Sequence, residues 1–346
     1  MRVKRASISS WLICIAASII ASSTAEAAPR IVDRIPLADG GWDILTVQPE
    51  TGLVFISRSD GVDRVDPRRR TVVHQFVHGD HFHGVATIPG GTLALATERA
   101  GEGLLFDTQS GAIKARIKLD PDADAIAYDP SDKAFWAANG DSGTIAEIDS
   151  TNGRLLGNVN VGGSLEFMTL DGAGHLFVNV ADKSELVEVD TASRKIVRRE
   201  HLVGCEHPTG IAPVGDGLLL SACANGIARL SRSSSLVRAG DLVIGPRPDG
   251  AFADPSRRRA YVPSGGDGSL SIIDTTRPAP KVLAKLLTEV GGRTGAVDPS
   301  SGRVYIVAAK FGAPSSPNSR PAVVPGTVEL LVVDPEVRPA NSTVAP

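Results

Sequence analysis

One short pattern recurs along the chain at a nearly constant interval: an apolar strand ending in Asp, followed by Thr, Ser or Pro. It ends on Asp66 (RVDP), Asp107 (LLFDT), Asp149 (EIDST) and Asp190 (EVDT), then on Ser231 in place of Asp (RLSR), Asp274 (IIDT) and Asp334 (VVDP). The steps are 41, 42, 41, 41, 43 and 60 residues. A second landmark keeps the same beat: a small apolar strand before an acidic or Pro-Gly turn, as in GVATIPGG, AIAYDPSD, FMTLDGAG and TGAVDPSSG. A further strand follows each, such as LVFIS, AFWAA, LFVNV or RVYIV. Each unit therefore reads strand, turn, strand, Gly-rich loop, strand ending in Asp, turn, strand. Four strands in about 40–45 residues is the size of a propeller blade.

The Asp has a structural task in this reading. Its carboxylate can accept a hydrogen bond from a backbone N–H two residues on and close the turn into the fourth strand. The seventh unit, starting near Thr294, ends after its third strand at Asp334, while RIVDRIPL (30–37) precedes the first unit without a partner in it. If 30–37 supplies the outer strand of the last blade, the ring closes and no edge stays exposed. The expected fold is all-β: a seven-bladed β-propeller of four-stranded blades, closed by an N-terminal strand in the last blade. Composition agrees, with 36 Gly, 23 Pro and 4% aromatic residues.

Residues 1–27 fall outside the repeat. MRVKR is basic, ISSWLICIAASIIAS is apolar, and Ala25-Glu26-Ala27 places small residues where a signal peptidase reads. The expected organisation is a signal peptide over 1–27, the propeller over 28–336 and a disordered tail over 337–346. The mature chain is expected in the periplasm or secreted, with no membrane span. Cleavage removes three basic residues and one acidic, taking the formal charge from −3 to −5. No basic stripe remains for nucleic acid. Cys205 and Cys223 survive cleavage and form the expected disulfide of an oxidising compartment.

The chain resembles the YVTN-repeat β-propellers, exported bacterial proteins of the quinoprotein amine dehydrogenase-like superfamily. The similarity is clearest in AIAYDPSDKAFWAANGDSGTIAEIDSTNGR (125–154) and GAVDPSSGRVYIVAA (295–309), and the family's Asn is kept at Asn139. The resemblance implies a seven-bladed ring and specifies function hardly at all, because propellers host many activities.

Propeller geometry puts the start of each unit's first strand at one mouth of the central channel. Aligning the units places Trp42, His83, Asp124, Glu166, Thr209, Asp249 and Thr294 in one column there, with Arg293 beside it. Two residues earlier stand His81, Asp122, His207 and Arg247. Residues two apart on an extended segment share a side, so His81 and His83 of the HGDHFHG segment (78–84) are expected to face together, with His207 joining them. His81, His83, His207, Glu166 and Asp249 form the candidate metal-ligand set, and a divalent cation is the candidate cofactor. The last unit carries a long Pro- and Ser-rich loop, 308–326, expected on the same face. RRR (68–70) reads as a solvated charge run in an outer turn.

No Gly-x-Ser-x-Gly elbow, phosphate-binding loop, haem Cys-x-x-Cys-His or repeated quinoprotein Trp motif is present. The reading is an exported, monomeric, non-catalytic propeller that binds a small molecule, a metal or an exported protein partner on its funnel face. The alternative is a metal-dependent hydrolase similar to gluconolactonase-type propellers, in which a cation at the mouth activates water.

Overall fold

In the computed structural model, which describes residues 28–276, 279–314 and 321–336, the chain folds into seven four-stranded antiparallel sheets. The signal-peptide segment 1–27 and the tail 337–346 lie outside the described residues. Six sheets are built from consecutive strands, so each repeat unit of the sequence is one blade. Blade 1, for example, comprises Trp42–Gln48, Leu53–Arg58, Gly61–Asp66 and Thr71–His78. The first strands of successive blades pack side by side around the channel, and those of blades 1 and 7 meet to complete the circle. Among the described residues the helical content is one 3-10 turn, Ala181–Lys183, and no helix is long and apolar enough to cross a membrane.

Ring closure follows the expectation. Arg30–Pro36 pairs antiparallel with Glu329–Asp334 and becomes the outer strand of blade 7, with Ile35 opposite Leu330. Ile35 is 1% exposed. It joins one apolar layer with Leu45, Val54 and Ile56 of blade 1 and Tyr305, Val307 and Leu330 of blade 7. Every interface between blades repeats this arrangement, because alternation along a strand sends one face to each neighbouring blade. Polar clasps add to the closing strand: Arg34 reaches Glu329 and Glu289, and Arg70 of the RRR segment pairs with Asp33. That segment is solvated, yet it also bridges blade 1 to the closing strand.

The repeated aspartates close their turns. Asp66 accepts from the Arg68 amide at 3.0 Å, Asp107 from Ser110 at 2.8 Å, Asp149 from Thr151 at 2.8 Å, Asp190 from Ser193 at 2.7 Å and Asp274 from Thr276 at 3.0 Å. Cys205, in the segment entering blade 5, is bonded to Cys223 at the end of that blade's second strand, with Cα atoms 5.2 Å apart. The described ends of the 308–326 loop form a short ribbon: Gly312 donates to the Ala322 carbonyl, Val324 to that of Lys310, and Phe311 bridges Val323. Phe311 stands against Trp42, with ring centroids 6.4 Å apart, so the ribbon rises beside the channel mouth.

Candidate functional site

The first strand of a blade does not run straight into the mouth. In blades 1 to 5 its register slips immediately after the first pair: between Trp42 and Leu45, Phe82 and Gly84, Ala123 and Ile126, Leu165 and Met168, and Pro208 and Ile211. Such a bulge re-aims the side chain it contains. The first paired residue (Trp42, Phe82, Ala123, Leu165, Pro208) is apolar, and the first four pack between blades. The next residue faces the mouth in blades 1 to 4 (Asp43, His83, Asp124, Glu166), where these groups act on one another, whereas Thr209 at the same position of blade 5 donates to the Ala222 and Pro248 carbonyls. The isolated bridge of Pro248 to Ser264 places Asp249 in the same column, and the pairing of Gly295 with Ile306 places Arg293 there. Seven blades thus present Asp43, His83, Asp124, Glu166, Thr209, Asp249 and Arg293 in one ring.

The backbone behind this ring is tied from blade to blade. The Ser59 carbonyl accepts from the His81 amide, His81 from Arg99, Arg99 from Asp122 and Asp122 from Gly140, at 2.7–2.9 Å. The Thr97 hydroxyl receives the Gly84 amide at 3.2 Å and donates to the Asp124 carbonyl at 3.0 Å, fastening blade 2 to blade 3 beside His83 and Asp124. Gly84 is required there, since a Cβ would stand 2.0 Å from the Asp124 carbonyl oxygen. A buried counterpart holds Thr209: Asn179 donates to the Thr209 and Gly210 carbonyls and accepts from the Ser221 hydroxyl at 2.8 Å.

Five carboxylates converge on this mouth: Asp43, Asp122, Asp124, Glu166 and Asp249. The opposing positive charge within the ring is Arg293, which donates to Asp249 at 2.5 Å and lies 3.7 Å from Asp43. Burial raises Asp43 to about 7, with the Asp249 charge adding to it. Burial likewise raises Glu166 to about 8, helped by Asp249 and Asp43, and lifts Asp124 well above the carboxylate range. Desolvation works against the charge of Arg293, but Asp249 and Asp43 outweigh it and hold the guanidinium above its ordinary value. Burial depresses the His83 imidazole against the opposing pull of Asp122, which favours the neutral ring. A site so rich in carboxylate is more stable with a cation in it.

His83 is central to the geometry. Its Nδ1 lies 3.6 Å from Asp122 Oδ1 and 3.9 Å from Asp124 Oδ1, beyond hydrogen-bond reach of both. His83 Nδ1 and Asp124 Oδ1 are both sealed from solvent and have no hydrogen-bond partner. Among the described residues, one set of three potential ligand atoms comes within 4.8 Å of one another: an Asp43 carboxylate oxygen, a His83 ring nitrogen and an Asp124 carboxylate oxygen.

The residues singled out in the sequence fall into three groups here. His83, Asp122, Asp124, Glu166, Asp249 and Arg293 meet at the mouth, but Glu166 and Asp249 stand outside the 4.8 Å triad. His81, His207 and Arg247 lie at the rim and are exposed. Their φ values of 48°, 45° and 50° are left-handed, so the alternation expected of an extended segment does not apply. His81 turns to Asp80, with Nδ1 to Oδ1 2.7 Å, rather than to His83. Trp42 and Thr294 pack away from the channel, Trp42 in the layer between blades 7 and 1 and Thr294 donating to the Asp43 carbonyl at 2.8 Å. Asp43, one position from Trp42, escaped the sequence alignment. A signal existed: an apolar-then-polar pair recurs at this point in WD, FH, AD, LE, PT and PD.

No known sequence family and no curated protein matches the chain. A chain in the crystal structure of the mitotic checkpoint complex superposes with a TM-score of 0.71 at 11% identity, over 89% of this chain and 96% of that one. The fold recurs in 1815 solved chains, so the likeness establishes a β-propeller and selects no function.

Proposed function

We propose that this protein is an exported binding scaffold that captures a cationic ligand at the mouth of its central channel. The observation that carries the reading is the mouth itself: four ring carboxylates and Asp122 beside them, all half-buried, face a single ring arginine, and burial holds three of them above their ordinary range. Such a site gains free energy when positive charge enters it. Export accords with the signal-like pattern of 1–27 and with the Cys205–Cys223 disulfide, a bond typical of oxidising compartments. The resemblance of the repeat to those of exported YVTN propellers accords with the same location. The broader class of ligand, small molecule or exported protein partner, then depends on what accompanies the cation.

Thermal unfolding of the protein beginning at Ala28 tests this reading against divalent cations, alkylamines and guanidinium compounds, each with an anionic control. At least one cation is expected to raise the melting temperature, and Asp43→Asn together with Glu166→Gln is expected to remove that rise. If no cation shifts the transition, or the double variant responds as the wild type does, the mouth is not the binding site.

A further inference from the structure

We infer that Asp43, His83 and Asp124 form a three-ligand centre for a divalent d-block cation such as Zn²⁺ or Mn²⁺, open on its channel side. The inference rests on the reading of the mouth as a cation site and names the cation. Three consecutive blades each supply one ligand from the same position of the ring, so the backbone that holds the propeller together also spaces the donors. Their donor atoms already lie within 4.8 Å of one another. In a tetrahedral site with ligands at about 2.0–2.2 Å, donor atoms are about 3.3–3.6 Å apart. The 3.9 Å between His83 Nδ1 and Asp124 Oδ1 is thus about 0.3–0.6 Å from closure.

A second observation is independent of the carboxylate count. His83 Nδ1 and Asp124 Oδ1 are buried without a hydrogen bond, and a buried polar atom of this kind normally has a partner. A cation between them would satisfy both. The fastening of blade 2 to blade 3 through Thr97, whose hydroxyl holds the Asp124 carbonyl, fixes the ligand-bearing backbone as outer partners do in metal sites.

The donor set decides the class of metal. One imidazole with two carboxylates suits Zn²⁺ or Mn²⁺, whereas Ca²⁺ and Mg²⁺ take oxygen shells and gain nothing from His83. Three protein ligands leave at least one coordination position free, and it faces the channel. A water or an oxygen donor of a bound ligand completes the shell.

Elemental analysis after equilibrium dialysis of the full chain from Ala28 against Zn²⁺ at pH 7.5 tests the inference, using wild type, His83→Ala, Asp124→Asn and His81→Ala. Near one Zn²⁺ per chain is expected in wild type and His81→Ala, with at least a hundredfold weaker binding in His83→Ala and Asp124→Asn. Melting curves in EDTA establish that each variant is folded. Replacing Zn²⁺ with Mn²⁺ is expected to preserve the dependence on His83, and Ca²⁺ is expected to bind at least a hundredfold more weakly than Zn²⁺. Wild type without stoichiometric Zn²⁺ or Mn²⁺, or Zn²⁺ retained in folded His83→Ala, overturns the centre. If an organic cation still protects the protein through Asp43 and Glu166 in that event, the broader reading of the mouth stands. If none does, both fall.

Discussion

His83 Nδ1 and Asp124 Oδ1 face each other across 3.9 Å from adjacent blades, both buried and both without a hydrogen bond. Neither side chain belongs to the apolar layers that stabilise the ring, and the two are held there by backbone ties between blades. The mouth is therefore polar by construction and separable from the core, and variants can address one without the other.

Gly84 is the position where the two meet. A methyl group there would stand 2.0 Å from the Asp124 carbonyl and 2.7 Å from the Thr97 hydroxyl. Gly84→Ala is expected to push blades 2 and 3 apart, costing about 1–3 kcal/mol as an overpacked site. It should also displace His83 from Asp124. Denaturant unfolding reads the first effect and cation affinity the second. Wild-type stability in this variant would show that the contact relaxes freely.

Glu166 makes the pH dependence of the metal-free protein unusual. Its folded pKa, about 8, lies above its value of 4.5 in the unfolded chain. Between those values the folded state binds the extra proton, so its contribution to stability is present below about pH 4.5 and is lost as pH rises to about 8. In EDTA, Glu166→Gln is expected to be more stable than wild type by on the order of 1–2 kcal/mol at pH 8.5 after allowance for screening, and no more stable at pH 4. Melting curves across pH measure this. A gain at pH 4 that vanishes at pH 8.5 would reverse the sign and contradict the electrostatics.

Ring closure depends on a strand far from its partner in sequence. Ile35 alone is buried to 1%, which corresponds to about 1.5–3 kcal/mol of hydrophobic stabilisation. A protein beginning at Trp42 loses this strand and leaves Glu329–Asp334 with an unpaired edge. It is expected to melt well below the protein beginning at Ala28, or to aggregate. Equal melting temperatures would mean that the ring is stable without its closing strand.

The Cys205–Cys223 bond closes a short loop of 18 residues. Loop-closure entropy of this size stabilises by about 3 kcal/mol. Reduction, or Cys205→Ala with Cys223→Ala, is expected to lower stability by roughly that amount while leaving the seven-bladed fold intact. Thiol titration of the denatured, unreduced protein beginning at Ala28, which lacks Cys14, should find no free cysteine. Two free thiols per chain would remove the bond.

The repeat was legible because each blade carries the same turn chemistry. Asp66, Asp107, Asp149, Asp190 and Asp274 sit where a carboxylate must accept a backbone amide, so their spacing marked the blades directly. The closing strand was legible from its lack of a local partner. The mouth was harder to read. A strand changes face with every residue, and the register slip after Trp42 gives Asp43 the place at the mouth that an unbroken strand would give Trp42. His81 and His207 were drawn toward His83 by an alternation that holds only for extended backbone, and their positive φ breaks it. Spacing in the chain locates a residue on a blade. The bulge after the first pair decides which way it points, and that depends on pairing to the second strand.

The most direct measurement is an anomalous difference map from crystals of the protein beginning at Ala28, grown with Zn²⁺ near neutral pH. The account predicts one strong peak at the channel mouth, about 2.0–2.2 Å from Asp43, His83 and Asp124 donor atoms. A mouth without a peak, or a cation bound at His81 and His207 instead, would contradict it.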